Sequence, residues 1–181
     1  MVVGNCGVSL SPWVSDRTPP PPLDLVFPGD VDSARFPTYG AYAAELERRP
    51  ASINALPLIG HSTLRCAALD RLDRPATEAE IGTMRTLLRE SLAAGAGGFS
   101  TGLFYPPNKA APATEVEALA RELPAFLASM PLICGTKETS SSNRLGETFE
   151  TARRAGCTVV ISHHKCQSEA VWGRSAESLR D

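Results

Sequence analysis

Apolar residues in this chain occur in two arrangements, short continuous runs and longer segments with helical spacing. Continuous runs are typical of buried strands, whereas apolar residues three and four positions apart are typical of helices. The runs predict strands at 1–6, 55–61, 97–105, 131–135 and 158–166. The spaced segments predict helices at 37–48, from 77 to the glycine at 95, from 114 to near 130, and at 145–155.

This alternation of strand and helix predicts an α/β fold with a parallel sheet. Strands of such sheets are covered on both faces, which agrees with their continuous apolar runs. An open doubly wound sheet is the alternative architecture, but Gly97-Gly98 precedes its strand and does not open a helix as a phosphate-binding loop does. Residues 11–32 are rich in proline and predict an extended loop.

Two capping boxes mark predicted helix starts. Thr77 is followed three residues later by Glu80, and Thr114 is followed in the same way by Glu117. In each box, the threonine and glutamate side chains are expected to satisfy two free backbone N–H groups at the start of a helix.

The composition is that of an ordinary globular protein and excludes few functions. The net charge of −2 gives no electrostatic reason to expect a nucleic acid or an anionic membrane as partner. No apolar run approaches the roughly 20 residues that span a bilayer. The first residues lack the basic and apolar regions of a signal peptide, so we expect a cytoplasmic protein.

The cysteines predict neither disulfides nor a structural zinc ribbon. Their number is odd, and no two of them form a C-x-x-C pair. We therefore expect reduced thiols, most of them small buried apolar groups. The five are Cys6, Cys66, Cys134, Cys157 and Cys166.

Residues able to carry chemistry lie where the predicted strands end. They are Cys6, His61, Tyr105, residues 134–136, and His163 with Lys165. The carboxyl ends of parallel strands form the active-site face of a barrel enzyme, so these positions predict one shared site. Because side chains alternate along a strand, His163 and Lys165 share a face, and His164 points the other way.

Each candidate also has a simpler interpretation. Cysteine and histidine are zinc ligands, but taken alone Cys6 is better interpreted as a buried thiol and His61 as a hydrogen-bonded structural histidine. Tyr105 can form the wall of a pocket, and Lys165 can be a solvated lysine or an anchor for a substrate carboxylate. Cys6 with His163 also has the residue types of a nucleophilic pair, without an evident third group to orient the histidine.

Four segments together resemble one enzyme family. They are 3–10 (VGNCGVSL), 60–65 (GHSTLR), 100–107 (STGLFYPP) and 160–166 (VISHHKC). In order and spacing they are similar to the D-aminoacylases, which are N-acyl-D-amino-acid deacylases of the amidohydrolase superfamily. The resemblance implies a partial (β/α)8 TIM barrel of the metal-dependent amidohydrolase type, about strands 2 to 6. It would form one incomplete domain over 1–181, with a proline-rich loop insertion at 11–35.

The resemblance also implies a zinc-dependent reaction. Cys6 and His163 match metal ligands, Tyr105 and Lys165 match residues that hold the substrate, and Phe104 matches a pocket residue. A zinc-bound hydroxide would attack the amide of an N-acyl-D-amino acid, giving a carboxylate and a free D-amino acid. His61 matches a family segment to which no catalytic role is assigned.

The chain departs from the family at several points. The first-strand His-x-His pair and the aspartate that acts as general base would lie outside 1–181. The fifth-strand region, 134–139, has no histidine, and Cys134 is a weak substitute ligand. We therefore expect a fragment with weak or no activity alone and marginal stability. The alternative is a non-catalytic remnant or binding module that retains the barrel fragment.

Overall fold

The structure is a computed structural model that describes residues 1–27, 35–126, 132–135 and 141–162, with the backbone alone at 132–135 and 141–145. The strands are β1 (Val2–Val3), β2 (Leu56–Pro57), β3 (Ile59–Gly60), β4 (Phe99–Thr101), β5 (Leu132–Gly135) and β6 (Val159–Ser162). The helices are α1 (Tyr39–Arg48), α2 (His61–Ala68), α3 (Glu78–Ala93), α4 (Ala113–Ala120) and α5 (Ser141–Ala155).

The strands are all parallel and pair in the order in which they occur along the chain. β1 pairs with β2, and β3, β4, β5 and β6 follow one another in a second ladder. Only Leu58 separates β2 from β3, so the two are successive parts of one extended segment that pairs with β1 first and β4 second. A doubly wound sheet reverses its strand order, whereas a barrel does not. The described strands therefore form an arc of a barrel, and the doubly wound alternative is wrong.

The main core lies between this arc and the helices that follow its strands. Its side chains have lost nearly all contact with solvent, and the cluster joins β3 and β4 to α2, α3 and α4. Its members include Ile59, Leu64, Met84, Leu88, Phe99, Val116 and Leu119.

The described part of the proline-rich loop packs on the outside of α2. Trp13 and Phe27 lie 4.7 Å apart between ring centroids, and both belong to a buried cluster with Leu23 and Cys66. A 3₁₀ turn spans Leu23–Leu25 within the loop. The loop thus has a small apolar core of its own.

One capping box is confirmed and the other is wrong. The Thr77 side chain accepts from the Glu80 N–H, and the Glu80 carboxylate accepts from the Thr77 N–H at 2.7 Å, so α3 begins as predicted. α4 instead begins at Ala113 after Pro112, without a side-chain cap, and ends at Ala120, ten residues before the predicted end. The first turn of α4 closes on Pro112, whose carbonyl accepts a hydrogen bond from the N–H of Glu115 at 3.1 Å.

The strands are shorter than their apolar runs, which moves the candidate residues off them. Cys6 lies in a 3₁₀ turn (Asn5–Gly7), His61 begins α2, and Tyr105 follows β4 by four residues. The sequence pattern did not predict α2, because four of its six buried residues are polar and the helix therefore lacks an apolar stripe of helical spacing. Within the described ranges, no helix combines the length and apolarity needed to cross a membrane.

Candidate active site

The turn that carries Cys6 has an unusual backbone. Gly4, Cys6 and Gly7 have φ angles of +84°, +58° and +82°. Cys6 is the one non-glycine residue with positive φ in the part of the chain that the structure describes. Such a conformation costs a residue with a Cβ atom about 1–3 kcal/mol and persists where neighbouring groups hold it, often at functional sites.

Ser100, at the centre of β4, is one of those neighbours. Its Oγ accepts a hydrogen bond from the Gly7 N–H at 3.0 Å and donates one to the Gly4 carbonyl oxygen. The two hydrogen bonds join the first and last residues of the turn to one buried hydroxyl.

The turn lies directly against the ends of β3 and β4, where glycines leave room for it. A Cβ atom built at Gly60 would lie 2.4 Å from the Gly7 carbonyl oxygen. A Cβ atom built at Gly102 would lie 2.5 Å from the Cys6 carbonyl oxygen and 2.8 Å from Cδ2 of Tyr105. Because no side chain fits at these distances, the close approach requires glycine at both positions.

Cys6 and Tyr105 meet beside this contact. Burial raises the pKa of the Tyr105 phenol, and the charge of Cys6 and a hydrogen bond with Cys6 raise it further. The Phe104 ring stands edge-on to Tyr105, with centroids 6.1 Å apart, and remains 43% exposed. Cys6 and Tyr105 are thus neighbours, and Phe104 packs beside Tyr105.

The segment after Tyr105 is anchored by a buried asparagine. Asn108 donates from its backbone N–H to the Tyr105 carbonyl at 2.9 Å. Its side-chain Nδ2 donates to Ser62 Oγ at 2.8 Å and to the Gly102 carbonyl at 3.3 Å. The Tyr105 loop is therefore tied back to α2 and to the end of β4.

His61 lies on the other side of the sheet, in a buried charged network. Its Nδ1 accepts from the Thr101 hydroxyl at 2.9 Å, and its Nε2–H donates to Glu115 Oε1 at 3.0 Å. Arg65 donates to the same carboxylate oxygen and, through Nε, to the Pro107 carbonyl at 2.6 Å. His61, Arg65 and Glu115 are all fully buried.

The charges in this network are settled by burial and by Arg65. Burial lowers the pKa of His61 and outweighs the opposing effect of Glu115, so the imidazole is neutral at pH 7. Burial alone would raise the pKa of Glu115, but the hydrogen bonds and charges of His61 and Arg65 lower it to about 2. Both ring nitrogens of His61 have partners, so this histidine is a structural group rather than a free ligand.

The described residues provide one of the two predicted metal ligands. Cys6 is a partly exposed thiol outside any disulfide, on a turn that Ser100 holds at both ends, which suits a zinc ligand. No three His, Cys, Asp or Glu side chains in the described ranges lie together as a metal site. His163 and Lys165 lie outside the described residues. In the register of β5 against β4, Cys134 pairs with Thr101, whose hydroxyl is bonded to His61. It does not pair with Ser100, the β4 residue that contacts the Cys6 turn.

Sequence reasoning missed the residues that hold the site together. Ser100 lies in the segment 100–107, but the sequence pattern indicates only that it is a residue of a predicted strand. Asn108 follows two prolines and carries no periodic signal. Glu115 was interpreted as part of a helix start, since only the folded chain brings it against Arg65, 50 positions earlier.

Comparisons with known proteins identify related chains. No protein-family model matches this sequence. An N-acyl-D-aspartate deacylase of Alcaligenes xylosoxydans xylosoxydans is 42% identical over 183 residues, covering 99% of this chain and 36% of the relative. A D-aminoacylase of the same organism is 41% identical over 179 residues, with the same coverage of both chains. This chain therefore spans about a third of the length of these relatives.

Solved structures agree with the sequence relatives. A D-aminoacylase structure, described as defining a novel subset of amidohydrolases, has a TM-score of 0.88 and 39% identity, covering 99% of this chain and 37% of that one. An N-acyl-D-glutamate deacylase from Bordetella bronchiseptica has a TM-score of 0.82 and 35% identity over the same shares. The predicted fold, an arc of an amidohydrolase α/β barrel, is confirmed. By sequence and by structure, the chain is homologous to one segment of the D-aminoacylases, a subset of the amidohydrolases.

Proposed function

We propose that this chain forms part of the active site of a zinc-dependent deacylase that cleaves N-acyl-D-amino acids to a carboxylate and a free D-amino acid. The observation that carries the proposal is the meeting of Cys6 and Tyr105 where the Cys6 turn rests on the end of β4. The homology of the chain to D-aminoacylases gives that pair its interpretation.

Cys6 is the proposed metal ligand from the described part of the chain. The solved relatives include a D-aminoacylase with a binuclear metal center and a deacylase complexed with zinc. Zinc in such a site lowers the pKa of water to about 7 and polarises the carbonyl to be attacked. We assign His163 as a second ligand by its place in the segment 160–166. Three protein ligands are usual at catalytic zinc, so the site requires at least one more.

Tyr105, Phe104 and Lys165 are the proposed substrate contacts. The raised pKa keeps the Tyr105 phenol protonated, so its O–H can donate a hydrogen bond to a substrate carbonyl or carboxylate. The exposed ring of Phe104 offers an apolar surface next to it. Lys165 would balance the charge of the substrate carboxylate.

Metal binding tests the role of Cys6. Cobalt(II), added to the purified chain as a substitute for zinc, should give a cobalt–thiolate charge-transfer band in the near ultraviolet. Cys6→Ala should abolish the band. Because alanine also has a Cβ atom, the substitution removes the thiol without relieving the strain of the positive φ angle. Cys157→Ala is the matched control, because that thiol is also outside any disulfide and partly exposed, and the band should survive. A band that persists in Cys6→Ala would contradict the proposed ligand.

Substrate binding separates a deacylase segment from a remnant that has lost its function. The zinc-loaded chain should bind N-acetyl-D-aspartate or N-acetyl-D-glutamate more tightly than the L enantiomers, and Tyr105→Phe should weaken that binding. Calorimetry measures both effects. Turnover by the isolated chain should be weak or absent, and rapid zinc-dependent amine release would refute that expectation. Equal affinity for both enantiomers would favour the non-catalytic alternative.

A further inference from the structure

We propose that Ser100 is a positioning residue for Cys6: its hydroxyl holds the Gly4–Gly7 turn in the conformation that presents the thiol beside Tyr105. The inference rests on the proposed role of Cys6 as a metal ligand. Nothing in the sequence pattern of β4 distinguishes Ser100 from an ordinary buried strand residue, and its function follows from its two contacts.

The first step of the argument is the geometry of the hydroxyl. Ser100 Oγ accepts from the Gly7 N–H at 3.0 Å and donates to the Gly4 carbonyl. A hydroxyl is both donor and acceptor, so one side chain satisfies both ends of the turn. Ser100 is fully buried, and water cannot replace it without a new cavity.

The second step is the strain that this contact opposes. Within the turn, the Val8 N–H donates to the Asn5 carbonyl at 3.1 Å, and this bond does not engage Gly4 or Gly7. Cys6 has φ +58°, a conformation that a residue with a Cβ atom leaves when it is free to do so. The hydrogen bonds of Ser100 span Cys6 on both sides, so they oppose that relaxation.

The third step is the direction of the thiol. A change of φ at Cys6 rotates the turn about its own backbone and moves the Cβ atom and Sγ away from their present place. The Cys6 carbonyl lies close against Gly102, so a flip of the turn would also disturb the contact with Tyr105. Loss of the Ser100 hydroxyl therefore acts on the site without removing any group that touches metal or substrate.

Hydrogen exchange on the intact parent chain is the primary test. The Gly7 amide should exchange at least tenfold more slowly than an unstructured glycine amide, because its partner is a buried hydroxyl. Ser100→Ala should raise that rate tenfold or more, and Ser100→Thr, which keeps a hydroxyl, should restore protection. Thr101→Val is the matched control, because it removes a buried hydroxyl from the next residue of β4 that serves His61 instead.

Cobalt affinity gives the second readout. Ser100→Ala should weaken cobalt binding tenfold or more while Thr101→Val leaves it within twofold, a difference that a general loss of packing would not produce. If the parent chain gives no cobalt–thiolate band, the proposed metal role of Cys6 fails, and the exchange data alone decide the positioning role. An unprotected Gly7 amide in the parent, or equal exchange in parent and Ser100→Ala, overturns the inference.

Discussion

At the scale of single residues, the candidate site depends on glycines, which let other parts of the chain approach their backbone closely. Gly102 is the sharpest case, because its backbone is enclosed by the Cys6 carbonyl and the Tyr105 ring. The sequence pattern indicated Cys6 and Tyr105 through their places after apolar runs. It did not indicate Gly102, since a glycine within a run carries no sign of what will lie against it.

Gly102→Ala should therefore damage the site. The added methyl group would lie 2.5 Å from a backbone oxygen, so the Cys6 turn or β4 must move. Overpacking of this kind typically costs about 1–3 kcal/mol of unfolding free energy. We expect that loss in urea unfolding, together with a weakened cobalt–thiolate band.

Gly82→Ala is the control for this substitution. Gly82 lies inside α3, and a Cβ atom built there has no neighbour within 4 Å. The same change should stabilise the protein by about 0.5–1 kcal/mol, because alanine is the better helix residue. Equal effects of the two substitutions would show that the contact at Gly102 does not constrain the turn.

At the scale of elements, α4 shows how a local signal can predict a helix and miss its start. Thr114 and Glu117 have the spacing of a capping box in which Glu115 would be the first helical residue, yet the helix starts two residues earlier, at Ala113 after Pro112. This start leaves Glu115 in the first turn, where its carboxylate meets Arg65 of α2. Local spacing predicted a helix here, but it missed the bounds, and it missed the pairing of Glu115 because Arg65 is 50 positions away in the sequence.

Glu115→Gln should be among the most destabilising substitutions in the chain. It leaves the guanidinium of Arg65 buried without a counter-charge, and breaking a buried pair costs about 3–5 kcal/mol. Chemical denaturation measures the loss directly.

Glu117→Gln provides the comparison on the same helix. Glu117 pairs with Arg121 and, at 3.8 Å, with Arg154, whose side chains are 58% and 56% exposed, and pairs with such exposed partners contribute little. We expect nearly unchanged stability. A similar loss in both variants would mean that the helix, and not the buried pair, is sensitive to the substitution.

At the scale of the whole molecule, the alternation of strands and helices was enough to predict the α/β class and its parallel sheet. The match of four segments to one family added the barrel. Neither could supply the arrangement inside the site, which depends on contacts between the Cys6 turn, β4 and α2. Ser100 of β4, Ile133 of β5 and Val160 of β6 lie in register across the sheet, and Val160 remains 48% exposed.

Stability of the whole fold should fall as the pH is lowered from 7. The unfolded chain protonates His61 near 6.5, whereas burial lowers the pKa of the folded imidazole. The unfolded chain protonates Glu115 near 4.5, whereas the folded carboxylate has a pKa of about 2. In both cases the unfolded state binds more protons as the pH falls, so acid favours unfolding.

Urea unfolding at pH 7, 5 and 4 checks this expectation. The parent chain should lose stability at each step, and His61→Gln should remove most of the change between pH 7 and pH 5. Stability that is constant from pH 7 to pH 4 would contradict the charge states assigned to the buried network.

The pleat of β4 also limits how the chain can change in length. Ser100 and Thr101 are consecutive, and one serves the Cys6 turn while the other serves His61. An insertion or deletion of a single residue in the strand would exchange the two faces. Ser100 would then face the side of the sheet that carries His61, and Thr101 would face the Cys6 turn. The hydrogen bonds of both networks would be lost together. We therefore expect natural length variation in this region to occur outside β4.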